Sequence, residues 1–219
     1  MLGDATGFTT VEHASGIPLY RVYDSVWGYD EANPGYGDAR FSPLDDPLTG
    51  HRLPSIYLAE TEVAALLETV FHEVHHASSR TIYERDLRGQ LLAHVATPRE
   101  MQLVDLRNPE LARLGLRRDQ VASSPAEHYP CTRRLAVELL REHSDAQGLI
   151  WHSRQAELLD QPDVEVMVLF GATRFEMPRG DWPLRGPGNR NLYEGPGRLL
   201  IDEVAEELDA TVELEDAGT

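Results

Sequence analysis

The stretch Ser55-Ile56-Tyr57-Leu58-Ala59-Glu60-Thr61-Glu62-Val63-Ala64-Ala65-Leu66-Leu67-Glu68 constrains the fold more than any other part of the chain. An extended run at Ile56-Tyr57-Leu58 passes through Thr61, whose hydroxyl suits a helix N-cap, into an apolar repeat at Leu66, Leu67, Val70, Phe71 and Val74. A short strand therefore runs into an amphipathic helix from Val63 to Val74, which must lay one face on a sheet or another helix. Glu68 falls about a turn and a half into that helix, and it is the residue in the stretch that needs explaining.

Other segments extend the pattern. Leu19 to Tyr23, Gln90 to Ala96, Met101 to Leu106, Leu149-Ile150-Trp151 and Val164 to Phe170 read as strands, the last almost continuously apolar and so central in its sheet. Thr132 to His143 reads as an amphipathic helix, ended by Asp145-Ala146-Gln147-Gly148 with glycine as its cap, and Leu199 to Leu208 as another helix. Residues before about Gly16 are polar and unpatterned and read as a mobile lead-in, while the turn-rich Asn33 to Asp38 reads as a loop over a surface or cleft. Arg185-Gly186-Pro187-Gly188-Asn189 and Gly195-Pro196-Gly197 read as a breaker region, and an acidic tail closes the chain. These readings give an α+β protein with a lead-in at 1–17, one domain at 18–175 and a C-terminal extension at 176–219 that packs on the domain or binds a partner.

Composition narrows the function classes. At 219 residues and 41% hydrophobic content the chain can bury a substantial core. Its formal net charge of −17 opposes direct nucleic-acid binding but leaves room for a local arginine pocket holding a small phosphorylated ligand. Cys131 is the sole cysteine, which excludes an intrachain disulfide and any multi-cysteine metal site. No signal-peptide order and no run of membrane-spanning length is present, so a cytoplasmic location without membrane contact is expected.

Two local motifs offer chemistry. His72-Glu73-Val74-His75-His76 fits the His-Glu-x-x-His pattern of zinc peptidases, but Ser79 and Ile82 stand where an extended zinc motif places glycine and histidine. Histidines at a helix end are the plainer reading, and no metal is expected. Cys131 just ahead of a helix could be a thiolate nucleophile, although a buried structural cysteine is the plainer reading. A dispersed set carries more information: Arg21, Arg40, Tyr57, Glu68 and Ser153. Taken singly, the arginines read as surface ion-pair residues, Tyr57 as strand packing, and Glu68 as a solvent-facing group paired with His72 one turn on.

Taken together, the set resembles the RES domain, a family named for an arginine, a glutamate and a serine whose members are toxins of bacterial toxin–antitoxin pairs. The resemblance rests on Tyr20-Arg21, the Gly37 to Phe41 turn containing Arg40, Tyr57-Leu58-Ala59, Ala65-Leu66-Leu67-Glu68, Leu103-Val104-Asp105-Leu106 and the Gly148 to Ser153-Arg154 strand, covering roughly Pro18 to Phe170. Two departures stand out: Trp151-His152 occupy positions where relatives often have tyrosine and another residue, and Gln155 stands where a histidine often follows.

The resemblance implies an ADP-ribosyltransferase-like fold and an enzyme that breaks the nicotinamide–ribose bond of NAD by phosphorolysis or hydrolysis. Glu68 would stabilise oxocarbenium character on the ribose, by analogy with glycoside cleavage. Arg21 and Arg40 would grip the pyrophosphate or an attacking inorganic phosphate, Tyr57 would stack on nicotinamide, and Ser153 would orient the amide or ribose. The resemblance implies no cofactor beyond NAD as substrate, with inorganic phosphate as a candidate co-substrate, and a DNA-binding Xre-type antitoxin that blocks the cleft. Rival readings are a protein ADP-ribosyltransferase, a zinc peptidase acting through His72 to His76, and an inactive NAD- or partner-binding module.

Overall fold

The structure, a computed structural model, describes residues 7–72, 74, 80–122, 124–157, 159–171 and 181–214. Among the described residues twelve strands follow in chain order: β1 Thr10–His13, β2 Pro18–Asp24, β3 Leu44–Asp45, β4 Arg52–Leu53, β5 Ser55–Ala59, β6 Thr81–Tyr83, β7 Gln90–Ala96, β8 Met101–Asp105, β9 Gly148–His152, β10 Glu165–Phe170, β11 Leu184–Asn191 and β12 Thr211–Glu213. Among them lie α1 Glu62–Leu67, α2 Asn108–Arg113, α3 Tyr129–Glu142, α4 Arg154–Glu157 and α5 Gly195–Glu207.

Eight strands form one sheet in the order β1-β8-β9-β10-β5-β2-β7-β11, with β8 and β9 parallel and the other neighbours antiparallel. This is the mixed α/β architecture with a large central sheet that the sequence led us to expect. β10 sits fourth, and its continuous apolar character has a direct cause. Val166, Val168 and Phe170 enter the core beneath α1, α3 and α5, whereas Met167 and Leu169 enter a second core on the opposite face. Successive strand residues point to opposite faces, so a strand covered on both sides must be apolar throughout.

Several boundaries differ from the sequence reading. Thr10–His13 is not a lead-in but the edge strand β1, paired with β8 from Thr10↔Val104 to His13↔Met101. Thr61 caps α1 as expected, its hydroxyl accepting from the Ala64 amide at 3.1 Å, but α1 stops at Leu67. Phe71 and Val74 still reach the core through turns, because Phe71 N–H bonds back to the Leu66 carbonyl and Val74 N–H to that of Phe71. The apolar spacing recorded burial rather than helix length. Gly148 is not the cap of α3, which ends at Glu142; it opens β9, and a Cβ there would lie 2.0 Å from the Val168 carbonyl oxygen. The glycine is what lets β9 and β10 approach.

The presumed breaker region is ordered secondary structure. Leu184–Asn191 pairs with β7 through an irregular register, and Gly195-Pro196-Gly197 begins α5 rather than a loop. A Cβ at Gly197 would lie 2.2 Å from the Asn191 carbonyl oxygen, so helix and strand pack at a distance only glycine allows. Of the acidic tail, residues 215–219 lie outside the described residues.

One defect in the sheet matters for function. The ladder between β2 and β5 consists of the single pair Tyr20↔Ala59. Farther along, Ser55 pairs with Asn33 instead, through Asn33 N–H to the Ser55 carbonyl (2.9 Å) and Ser55 N–H to that of Asn33 (2.8 Å). The loop after β2 thus takes the place of β2 beside β5 and opens a slot between two strands of the main sheet.

Candidate active site

The slot is a cavity of about 330 Å³. Arg21 and Val22, neighbours on β2 whose side chains leave on opposite faces, both line it, as expected where a sheet is parted rather than merely covered. Tyr57 of β5, Glu68 after α1, Trp27 of the inserted loop, Asp24 at the end of β2 and Gln90 at the start of β7 are also among its walls.

Glu68 stands at the C-cap of α1, not within the helix, with φ −81° and ψ −4°. Its Oε1 accepts a hydrogen bond from Ser153 Oγ at 2.7 Å, and Oε2 lies 3.6 Å from an Arg40 guanidinium nitrogen, an ion-pair separation rather than a hydrogen bond. The side chain is 13% exposed, so the solvent-facing pairing with His72 does not occur. His72 Nε2 lies instead 2.7 Å from the Tyr129 hydroxyl. The carboxylate is therefore fixed from two sides while it borders the cavity.

Ser153 is fully buried. Its hydroxyl donates to Glu68 and accepts from the Ala156 amide at 3.2 Å, so it holds the start of α4 and aims the carboxylate in the same act. Arg118 bonds the Ser153 carbonyl at 3.1 Å and pairs with Glu157 at 2.8 Å, steadying the segment from outside.

Arg40 belongs to a turn that α3 clamps. Thr132 Oγ1, fully buried, donates to the Arg40 carbonyl at 2.5 Å, and Arg133 pairs with Asp38 and bonds the Ala39 carbonyl at 3.1 Å. The Arg40 guanidinium lies 5.7 Å from the centre of the Tyr129 ring, a cation–π contact that helps an arginine accept burial. Phe41, next in sequence, meets Trp151 edge-on at 5.0 Å, and Trp151 also meets Tyr57 at 6.3 Å. The unusual tryptophan at 151 therefore wedges the Arg40 turn against the strand that carries Tyr57. The other departure, Gln155, donates to the His72 carbonyl at 3.1 Å.

Tyr57 presents a half-buried ring to the cavity while its hydroxyl is buried within reach of the Phe41 amide (3.3 Å) and Ser42 Oγ (3.1 Å). Burial, partly offset by those bonds, pushes its phenol up to about 12, so the hydroxyl stays protonated. Arg21 is buried, and burial pulls its guanidinium down to about 10, which leaves it charged at neutral pH. It donates to the carbonyls of Tyr29 (2.6 Å) and Glu31 (2.7 Å), tying down the very loop that parts β2 from β5. All five residues singled out from the sequence thus converge. Arg21, Tyr57 and Glu68 line the cavity, while Arg40 and Ser153 bear on Glu68 from behind.

Sequence reasoning missed Trp27, Gln90 and Tyr129. Trp27 was legible only as an aromatic residue stranded in turn-forming sequence, and the other two look like ordinary strand and helix residues. The remaining local motifs fare less well. Cys131 is exposed near the start of α3 rather than buried. Of the His72 to His76 motif, Glu73, His75 and His76 lie outside the described residues. No helix among the described residues is long and apolar enough to cross a membrane.

A family model described as the RES domain matches residues 18–185. No curated protein matches the chain. Among solved structures, a chain of the M. tuberculosis MbcT–MbcA toxin–antitoxin complex superposes with a TM-score of 0.59 at 18% identity, covering 90% of this chain and 92% of that one. At that identity the likeness establishes a shared fold.

Proposed function

The chain belongs to the RES-domain family, and from that premise we propose that it is a toxin-type enzyme that cleaves the nicotinamide–ribose bond of NAD and is held in check by an antitoxin. The observation that carries the reading is the Glu68 carboxylate, bordering a cavity in a parted sheet and fixed by Ser153 Oγ at 2.7 Å and by Arg40. A carboxylate so held suits a reaction in which positive charge develops on a sugar. As the C–N bond breaks, its electron pair neutralises the pyridinium nitrogen, nicotinamide leaves, and the ribose gains oxocarbenium character that Glu68 stabilises directly or through a ribose hydroxyl. A nucleophile then forms the new bond at the anomeric carbon. With phosphate the product is the ADP-ribose 1-phosphate ester, and with water it is ADP-ribose plus a proton.

Arg21 brings a buried positive charge to a cavity that Asp24 and Glu68 also line, and that guanidinium is the group that would meet the pyrophosphate or inorganic phosphate. The Tyr57 ring, braced by Trp151, offers the flat face that nicotinamide would stack on. Ser153 and Arg40 act through Glu68 by fixing its orientation. An Xre-type antitoxin covering the cavity in the cytoplasm, where NAD is consumed, completes the proposal; the structural neighbour belongs to a toxin–antitoxin complex, which supports an antitoxin partner.

The test is nicotinamide release from NAD by the partner-free protein, with and without inorganic phosphate. Phosphate-dependent release identifies a phosphorylase. Release without phosphate identifies a hydrolase, or a transferase if labelled ADP-ribose appears on protein. Glu68→Gln should abolish release while the fold is kept; a folded variant with full activity would remove Glu68 from the chemistry.

A further inference from the structure

Beside the Glu68 cavity lies a second one of about 440 Å³, and the two share Thr69 and Gln90 as a common sill. We infer that this second cavity binds the adenosine half of the dinucleotide whose nicotinamide half occupies the first. The inference rests on the reading of the Glu68 cavity as the NAD-cleaving site.

Size, continuity and lining chemistry all lead to it. Small-ligand sites run from about 300 to 1,000 Å³, so the first cavity, at the bottom of that range, suits one nucleoside and not a whole dinucleotide. Thr69 follows Glu68 directly in the chain and lines both cavities, so the sill adjoins the residue that carries the reacting carboxylate. A ligand with its scissile ribose at Glu68 therefore has its pyrophosphate at the crossing. There the Gln90 carboxamide makes no hydrogen bond among the described residues, which leaves its N–H groups free to donate to phosphate oxygens.

Beyond the sill the walls suit a purine nucleoside. Val70, Val74, Ile82 and Leu87 give an apolar slot, the last three buried and so backed by the core. Tyr83 and Asp86 stand at the edge. The Arg85 guanidinium lies 4.4 Å from the Tyr83 ring centre and 3.8 Å from Asp86. An apolar slot with a carboxylate at its rim fits the faces of adenine and the vicinal hydroxyls of its ribose, which donate to Asp86. The same carboxylate repels a phosphate on the 2′-oxygen. The site should therefore prefer the unphosphorylated dinucleotide to its 2′-phosphorylated form.

The experiment is calorimetric titration of the full chain with adenosine 5′-monophosphate, adenosine 2′,5′-bisphosphate and nicotinamide mononucleotide. Val70→Trp, which fills the slot from a half-buried position, should weaken adenosine monophosphate about tenfold or more and leave nicotinamide mononucleotide unchanged. Asp86→Asn, at an exposed position that does not threaten folding, should narrow the preference for the monophosphate over the bisphosphate about threefold or more. No measurable adenosine monophosphate binding to the wild type, equal loss of both mononucleotides in Val70→Trp, or an unchanged preference in Asp86→Asn would overturn the inference. Failure of nicotinamide mononucleotide alone to bind would count against the Glu68 reading and leave the adenosine result to decide the second cavity.

Discussion

Replacing Ser153 by alanine removes a hydroxyl with two jobs and no exposed surface. Its Oγ donates to Glu68 at 2.7 Å and accepts from the Ala156 amide at 3.2 Å. A hydrogen bond to a charged group contributes about 1.5–3 kcal/mol, and each 1.36 kcal/mol is about tenfold in rate, so losing the grip on Glu68 should lower kcat by about ten- to hundredfold. Because Ser153 is fully buried behind the carboxylate, KM for NAD should stay within about twofold. Loss of the cap-like bond to Ala156 should cost about 1 kcal/mol of stability, read from urea unfolding. Steady-state nicotinamide release provides the kinetic constants. A raised KM with unchanged kcat would put Ser153 on the substrate and refute the argument.

Contacts of Arg21 and Glu110 carry further expected outcomes. Arg21→Ala should raise KM for NAD and also lower the melting temperature, because the guanidinium bonds the Tyr29 and Glu31 carbonyls as well as lining the cavity; an unchanged melting temperature would show that it does not secure the loop. Glu110, bonded first by Arg113 and then by Thr9, is held down to about 2. A carboxylate whose folded value lies below its unfolded value near 4.3 contributes stability that is present above that value and lost as pH falls toward 2. The melting temperature of Glu110→Gln should therefore fall less steeply than the wild type between about pH 5 and pH 2, and parallel curves would refute it. Since Glu110 accepts from Thr9 and Arg113 also bonds the Gly7 carbonyl, the same acidification should loosen β1.

What the sequence determined by itself is what short-range stereochemistry and burial periodicity encode. The Thr61 cap, the strands at Gln90–Ala96 and Glu165–Phe170, and the central place of the latter all follow from local pattern. Arg21, Arg40, Tyr57, Glu68 and Ser153 could be picked out because their residue types recur in family order. Other features depended on partners distant in the chain. Whether Leu184–Asn191 is a loop or a strand depends on whether β7 has a free edge, and whether Thr10–His13 is ordered depends on β8. Gly148 read as a helix cap and Gly197 as part of a breaker region because a lone glycine cannot announce that another backbone will lie against it.

The site shows the same division. The sequence supplied Ser153 as a hydroxyl and Arg40 as a cation, but their roles depend on burial. Ser153 is buried and bonds the Glu68 carboxylate, and Arg40 lies at ion-pair distance from the same group. The cavity itself exists because Ser55 pairs with Asn33 and the ladder between β2 and β5 stops after Tyr20↔Ala59. Strand pairing is a choice between competing backbone partners far apart in the chain. Residue type constrains that choice only weakly, so only the folded structure could decide it.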